Sequence, residues 1–188
     1  ILPGGLLSPL LNILNVRYIV IPNDLAAGRP RADLLGVLQN HKVVFQNSEI
    51  TVVENEHALP RAWVTHSAIR ADRITQLVML ATEQIDPAET ALVAGANTTP
   101  EAAAPPSGAQ EIVRVLSQTT NGVSLTANLS TAGVVVVSQS FANGWDAYVD
   151  GKKTPLSLTD GVLQGVPVGP GLPVIELKYE PLSLTVGL

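Results

Sequence analysis

Residues 122–140 read GVSLTANLSTAGVVVVSQS, and this stretch decides the fold. In Gly122 to Asn128, Val123, Leu125 and Ala127 alternate with Ser124, Thr126 and Asn128, the period of two that buries one face of a strand and wets the other. Valines then fill positions 134–137, and the alternation stops as it does in a central strand covered on both faces. Outward from there, short β-rich runs recur at near-even spacing: Ile112 to Gln118, Trp145 to Asp150, Gly161 to Val166 and Leu172 to Tyr179. Turn signals separate them, among them Thr120-Asn121-Gly122, Asn143-Gly144, Asp150-Gly151 and Asp160-Gly161. Such spacing predicts an antiparallel β-sandwich, jelly-roll or Ig-like, over 111–188.

The first half reads differently. Asn15 to Ile21 is a β-branched and aromatic run closed by Pro22-Asn23-Asp24, and Arg31 to Gln39 carries Leu34, Leu35 and Leu38 at helical spacing. His41 to Gln46 and Ile50 to Glu54 form a hairpin pattern around Asn47-Ser48-Glu49, and Arg61 to Thr65 is a further strand. Asp72 to Thr82 places Ile74, Leu77, Val78 and Ala81 on one helical stripe. Residues 1–93 are therefore expected to form a small α+β part with mixed strands and two short helices. Between them and the sandwich, 94–110 (AGANTTPEAAAPPSGAQ) reads as a linker or long loop. The fold class is α+β, mainly β.

Composition narrows the function. The 188 residues are 46% hydrophobic but only 14% charged, against a usual quarter, and the mean hydropathy is +0.27. Low charge and high hydrophobicity exclude disorder over most of the length. A net charge of −5, with the 11 basic residues scattered, argues against a nucleic-acid partner. Without cysteine there is no disulfide framework and no thiolate chemistry. The most apolar segment, Leu6 to Pro22, is interrupted by Ser8, Pro9, Asn12, Asn15 and Arg17, so no spanning helix is predicted. The chain starts without Met or a basic leader and stops on the apolar run Leu-Ser-Leu-Thr-Val-Gly-Leu, which suggests a piece of a larger polypeptide.

Chemistry-bearing patterns are sparse. His41, His57 and His66 lie at no metal-ligand spacing, no G-x-S-x-G or phosphate-binding glycine pattern occurs, and Ser138 and Ser140 fall inside a strand. Asp146, Asp150 and Asp160 offer oxygen ligands, but Asp150-Gly151 and Asp160-Gly161 read first as turns, with the Asp side chain bonding its own backbone. No metal and no cofactor is assigned. Trp63 and Tyr148 are candidate sugar-stacking rings. Trp145, three strand positions before Tyr148, points to the opposite face and reads as core. Arg61 either pairs with a carboxylate such as Glu54 or faces an acceptor phosphate. The triplets Asn97-Thr98-Thr99 and Asn128-Leu129-Ser130 match the glycosylation sequon, a pattern too common to weigh.

Four passages occur in an order that resembles a known family: Leu14 to Val20 (LNVRYIV), Val53 to Val64 (VENEHALPRAWV), Phe141 to Lys152 (FANGWDAYVDGK) and Val166 to Pro181 (VPVGPGLPVIELKYEP). They resemble the C-terminal extracytoplasmic part of the YfhO-like bacterial membrane proteins, multi-span relatives of the GT-C glycosyltransferases. The resemblance implies a non-catalytic accessory domain on the extracytoplasmic face of the membrane, positioning a glycan or lipid-linked substrate beside the membrane-embedded remainder of its parent chain. The family's catalytic carboxylates lie in a loop near the parent's N-terminus, so no catalytic residue is carried over and the isolated domain is not expected to be an enzyme. Arg61, Trp63 and Tyr148 are the candidate ligand contacts, and Gly144, Trp145, Asp150 and Gly151 the structural motif. A carbohydrate-binding module and a purely structural β-sandwich interaction domain are the alternatives.

Overall fold

The computed structural model describes residues 5–23, 32–95 and 104–181. The chain divides into two compact units, Ile1–Pro60 and Arg61–Leu188. Residues 96–103 of the expected linker, which include the Asn97 sequon, lie outside the described residues, as do Asp24, Arg31 and the apolar run at 182–188.

In the first unit a single turn of helix, α1 (Leu10–Ile13), precedes β1 (Tyr18–Pro22), α2 (Ala32–Asn40), β2 (Lys42–Gln46) and β3 (Ile50–Glu54). The three strands form an antiparallel sheet in the order β1-β3-β2. Alternation in β1 sends Ile19 and Ile21 into a core with Leu11, Leu34, Val37 and Val53. Asn55 locks the end of β3. Its side-chain NH2 donates to Asn12 Oδ1 (2.9 Å) and to the Val16 carbonyl (3.0 Å), and its Oδ1 accepts from the His57 N–H. Its backbone N–H donates to the Arg17 carbonyl at 2.7 Å, so this buried amide side chain and its own N–H are fully partnered.

The second unit contains β4 (Ala62–Thr65), β5 (Ser67–Arg70), α3 (Arg73–Ala81), β6 (Thr90–Val93), β7 (Ile112–Thr119), β8 (Gly122–Asn128), β9 (Gly133–Val137), β10 (Trp145–Val149), β11 (Lys152–Thr154), β12 (Ser157–Thr159), β13 (Leu163–Val168) and β14 (Val174–Tyr179). A five-stranded antiparallel sheet, β11-β10-β14-β8-β7, faces a six-stranded one, β4-β9-β13-β12-β6-β5. Val123, Leu125, Ala127, Ala147, Ile175 and Leu177 from the first sheet pack against Ala62, Val135, Val137, Val166 and Val168 from the second. Each fully buried Leu or Ile there contributes about 1.5–3 kcal/mol. The alternation of β8 is realised residue for residue, and β9 lies between β4 and β13 with all five residues buried. The protein is mainly β, within an α+β frame.

Two features depart from the sequence reading. The division falls at Pro60–Arg61, because β4 hydrogen-bonds to β9 and β6 to β12, which draws 62–93 into the sandwich's six-stranded sheet. That sheet is also mixed: α3 returns the chain so that β5 and β6 run parallel. The helix itself begins as expected, with Asp72 Oδ1 accepting from the Ile74 and Thr75 N–H groups as an N-cap. Its buried face, however, is Gln76 and Leu80, while Ile74 and Val78 are 69% and 50% exposed. Polar anchoring overrides hydrophobic periodicity here. Gln76 Oε1 accepts from the Gly161 N–H at 2.6 Å, and Arg73 Nε donates to the Gly161 carbonyl at 3.0 Å.

Candidate functional site

The residues singled out from the sequence separate onto different faces. Trp63 in β4 is only 7% exposed, and its indole N–H donates to the Pro87 carbonyl at 2.9 Å, so this ring belongs to the interior and offers no stacking platform. Arg61 is half-buried and bonds the Gln139 side-chain oxygen, and burial lowers its guanidinium below the ordinary value. Its expected partner Glu54 is taken by Arg17, whose Nε and Nη2 lie 3.2 and 3.1 Å from Glu54 Oε1. Tyr148 stands in β10, directly opposite Lys153 in β11 and Glu176 in β14. The Lys178 ammonium sits 5.0 Å from its ring centroid, a cation–π contact that covers one ring face.

Turn chemistry explains the motif residues. Asp150 and Gly151 have φ of 50° and 75°, and Asp160 and Gly161 have 49° and 77°, the mirror-image turn that tight hairpins favour. The two aspartates share a device that sequence reasoning missed. Each backbone N–H donates to the carbonyl of a residue on a neighbouring strand, and each Oδ1 accepts from that same residue's N–H: Val174 for Asp150, Leu92 for Asp160, all within 2.9 Å. The expected bond to their own backbone is replaced by a clasp on the next strand. Among the described residues no three His, Cys, Asp or Glu side chains gather as a metal site.

His66 is the histidine with structure around it. Its Nδ1 lies 2.8 Å from the Ala132 carbonyl and 3.1 Å from Thr131 Oγ1, and its Nε2 meets the Glu111 carboxylate. Side by side, Thr131, His66 and Glu111 look like a nucleophile relay, but the order of acceptors rules against it. A ring whose Nδ1 is committed to a carbonyl must carry its proton there and has no lone pair to receive one from Thr131. The group is a clasp between the β4–β5 corner, the residues before β7 and the β8–β9 loop. Burial works to raise the Glu111 carboxyl, yet the Ser130 N–H and His66 outweigh it and hold it below the usual carboxylate range. A depressed carboxyl stabilises the fold above its unfolded value and loses that contribution as pH falls through the folded one. Glu111→Gln is accordingly expected to cost about 1–3 kcal/mol at pH 7 and to flatten the acid limb of a denaturation series from pH 6 to pH 3.

A cleft of about 590 Å³ opens at one corner of the sandwich, lined by Asn143, Gly144, Trp145, Asp146, Lys153 and Tyr179, with Glu180 and Pro181 at its edge. Trp145 is half-buried and packs on the core, and its ring meets Tyr179 at a centroid distance of 5.4 Å and a tilt of 45°. Gly144 makes this corner possible. Its φ is +97°, and a Cβ there would lie 3.0 Å from Pro181 Cβ and 3.1 Å from Tyr179 Cε2. The Gly144 carbonyl accepts from the Glu180 N–H at 2.7 Å, which ties the end of β14 to the turn before β10. Asp146 points to the opposite side of β10 from Ala147 and pairs with the Lys153 ammonium at 2.8 Å. Asp146, with Glu180 acting more weakly through space, raises the lysine above its ordinary value. An aromatic pair, two carboxylates, an ammonium and an amide thus line one open cleft.

Comparison with protein-family models, with curated proteins and with solved structures finds no match for this chain. The chemistry of the cleft is therefore read from its own residues. Of the structural motif expected from the sequence, the cleft gathers Gly144 and Trp145, while Asp150 and Gly151 serve the hairpin between β10 and β11. Tyr179, Lys153 and Glu180 were missed, because aromatic and charged residues in a terminal strand and a short hairpin carry no pattern until the sheet register brings Tyr179 opposite Trp145.

Proposed function

We propose that this chain is a non-catalytic accessory domain of a multi-span, YfhO-like membrane protein on the extracytoplasmic face of a bacterial membrane. In this reading the corner cleft holds a glycan for the membrane-embedded, glycosyltransferase-like remainder. The observation that carries the glycan reading is the Trp145–Tyr179 pair beside Asp146, Lys153 and Asn143. Flat ring surfaces take the C–H face of a pyranose, while carboxylates accept from its hydroxyls and an ammonium or amide donates to its oxygens. The cleft volume falls within the range of small-ligand sites. Glu180 is exposed and Asp146 part-exposed, a wet setting suited to recognition. Membrane context and the parent's activity rest on the sequence resemblance alone.

The test is retention of the 188-residue chain on a panel of immobilised polysaccharides and a glycan array. Trp145→Ala and Asp146→Ala are expected to lower retention at least tenfold while a cooperative melt persists, and Tyr148→Ala to change it little. Absence of retention on every glycan, or retention indifferent to both cleft variants, would sink the reading. The interaction-domain alternative draws on a different observation. Register places Val20, Val52 and Phe45 in one row across the first unit's sheet, and Tyr18, Val20 and Phe45 are each more than half exposed. Under that alternative, Val20→Lys with Phe45→Lys would abolish a concentration-dependent sedimentation coefficient.

A further inference from the structure

Resting on the glycan reading above, we infer that the corner cleft selects uncharged pyranoses and turns away anionic ones. Two carboxylates, Asp146 and Glu180, face a single ammonium, Lys153. That ammonium is already engaged by Asp146 at 2.8 Å. On the adjoining strand Lys178 is likewise engaged: it pairs with Glu176 at 3.3 Å and caps the Tyr148 ring. Glu180 lines the cleft edge, and its side chain makes no hydrogen bond or ion pair among the described residues, so its oxygens remain acceptors for hydroxyl groups. A neutral sugar satisfies them by donation, and a vicinal diol can bridge both oxygens of one carboxylate.

A carboxylated or phosphorylated sugar meets the opposite situation. Its charge would sit beside Glu180, while Asp146 and Lys153 neutralise one another at 2.8 Å. At contact distance such a like-charge pair weakens binding about fivefold even in water, and more where the aromatic walls lower the local dielectric. The expected discrimination is therefore about tenfold or more, and it must shrink as salt screens the cleft. Chain-wide charge, −5, acts in the same direction at longer range. Glu180 is the specificity-determining residue in this account, since among the described residues it is the cleft carboxylate with no cation in contact.

The experiment uses the full 188-residue chain and neutral polysaccharides, each matched with its own carboxymethylated derivative, in affinity electrophoresis at about 20 and about 300 mM salt, which brackets the screening range. Wild type should bind the neutral member at least tenfold tighter at low salt, with the ratio falling at high salt. Glu180→Gln, a surface change that leaves the hairpins and core intact, should bring the ratio to within about threefold. Equal or tighter binding of the carboxymethylated member, or a ratio unmoved by Glu180→Gln, overturns this inference and leaves the glycan reading in place. Failure to bind either member of any pair overturns the glycan reading and the inference with it.

Discussion

Asp160→Asn is expected to make the second unit more stable at pH 8 than the natural chain, by about 2–4 kcal/mol. Asp160 is wholly buried in the β12–β13 turn. Its Oδ1 accepts from the Leu92 N–H at 2.8 Å, while Oδ2 has no hydrogen-bond partner. Burial pushes the carboxyl up to about 7, against the opposing pull of the Leu92 bond. Arg73 of α3, which reaches the same turn, spends its Nε on the Gly161 carbonyl. A carboxyl raised in the folded state contributes stability that is complete below its unfolded value near 4 and is lost as pH climbs through 7. Asparagine keeps the Oδ1 acceptor, tolerates the left-handed φ of 49°, and carries no charge to desolvate. Urea denaturation at pH 5 and pH 8 checks this: the variant should hold its midpoint where the natural chain loses ground. A variant less stable than the natural chain at pH 8 would mean that the ionised carboxylate has a bound counter-ion.

The neighbouring residue gives the largest loss. Gly161→Ala is expected to destabilise the second unit by about 2–5 kcal/mol, combining a left-handed φ forced on alanine with overpacking. At Gly161 φ is +77°, and a Cβ would overlap the Leu77 side chain, whose Cγ would lie only 2.7 Å away. Helix α3 grips this same residue by its N–H through Gln76 and by its carbonyl through Arg73. Moving Leu77 aside therefore pulls on both bonds. Combining Gly161→Ala with Leu77→Ala removes the overlap and leaves the backbone strain. The double variant should be less destabilised than the sum of the single ones by at least about 1 kcal/mol. Simple additivity in calorimetry would show that the overlap relaxes without cost.

Most of the strand plan could be read from the chain, because alternating burial is written directly into β8 and β1, and burial on both faces into the valine run of β9. What could not be read were β5, β6, β11 and β12, each of three or four residues, too short to display a period. Their pairing is decided by tertiary partners. The same limit hid the unit boundary, since nothing local in Ala62–Thr65 says that its partner is β9. Helix α3 was legible in place and cap but not in orientation: Gln76, polar and silent in a hydrophobic pattern, finds buried backbone partners that outweigh the exposure of Ile74 and Val78. Of the candidate site, Trp145 was visible as a large ring in a turn-rich motif; it packs on the core as read and also lines the cleft. Tyr179 and Lys153 reach it only through register. Trp63 illustrates the converse, a conspicuous aromatic whose polar atom is satisfied inside the fold.

The order of strands in the six-stranded sheet also constrains the history of each newly made molecule. During synthesis β4 and β6 leave the ribosome well before β9 and β12, the strands that pair with them. Ala62 and Trp63, buried in the finished sheet, must wait for β9 with their backbone unpaired, and the Ala91–Val93 segment, which has β5 on one side, keeps its other edge open until β12 has emerged. Closure is thus a late, non-local event, and all-β domains with such distant pairings fold on the millisecond-to-second scale. For that interval the chain exposes apolar strands with open edges, and a ribosome stalled between β6 and β9 would present an unfinished, adhesive half-sheet to the cell.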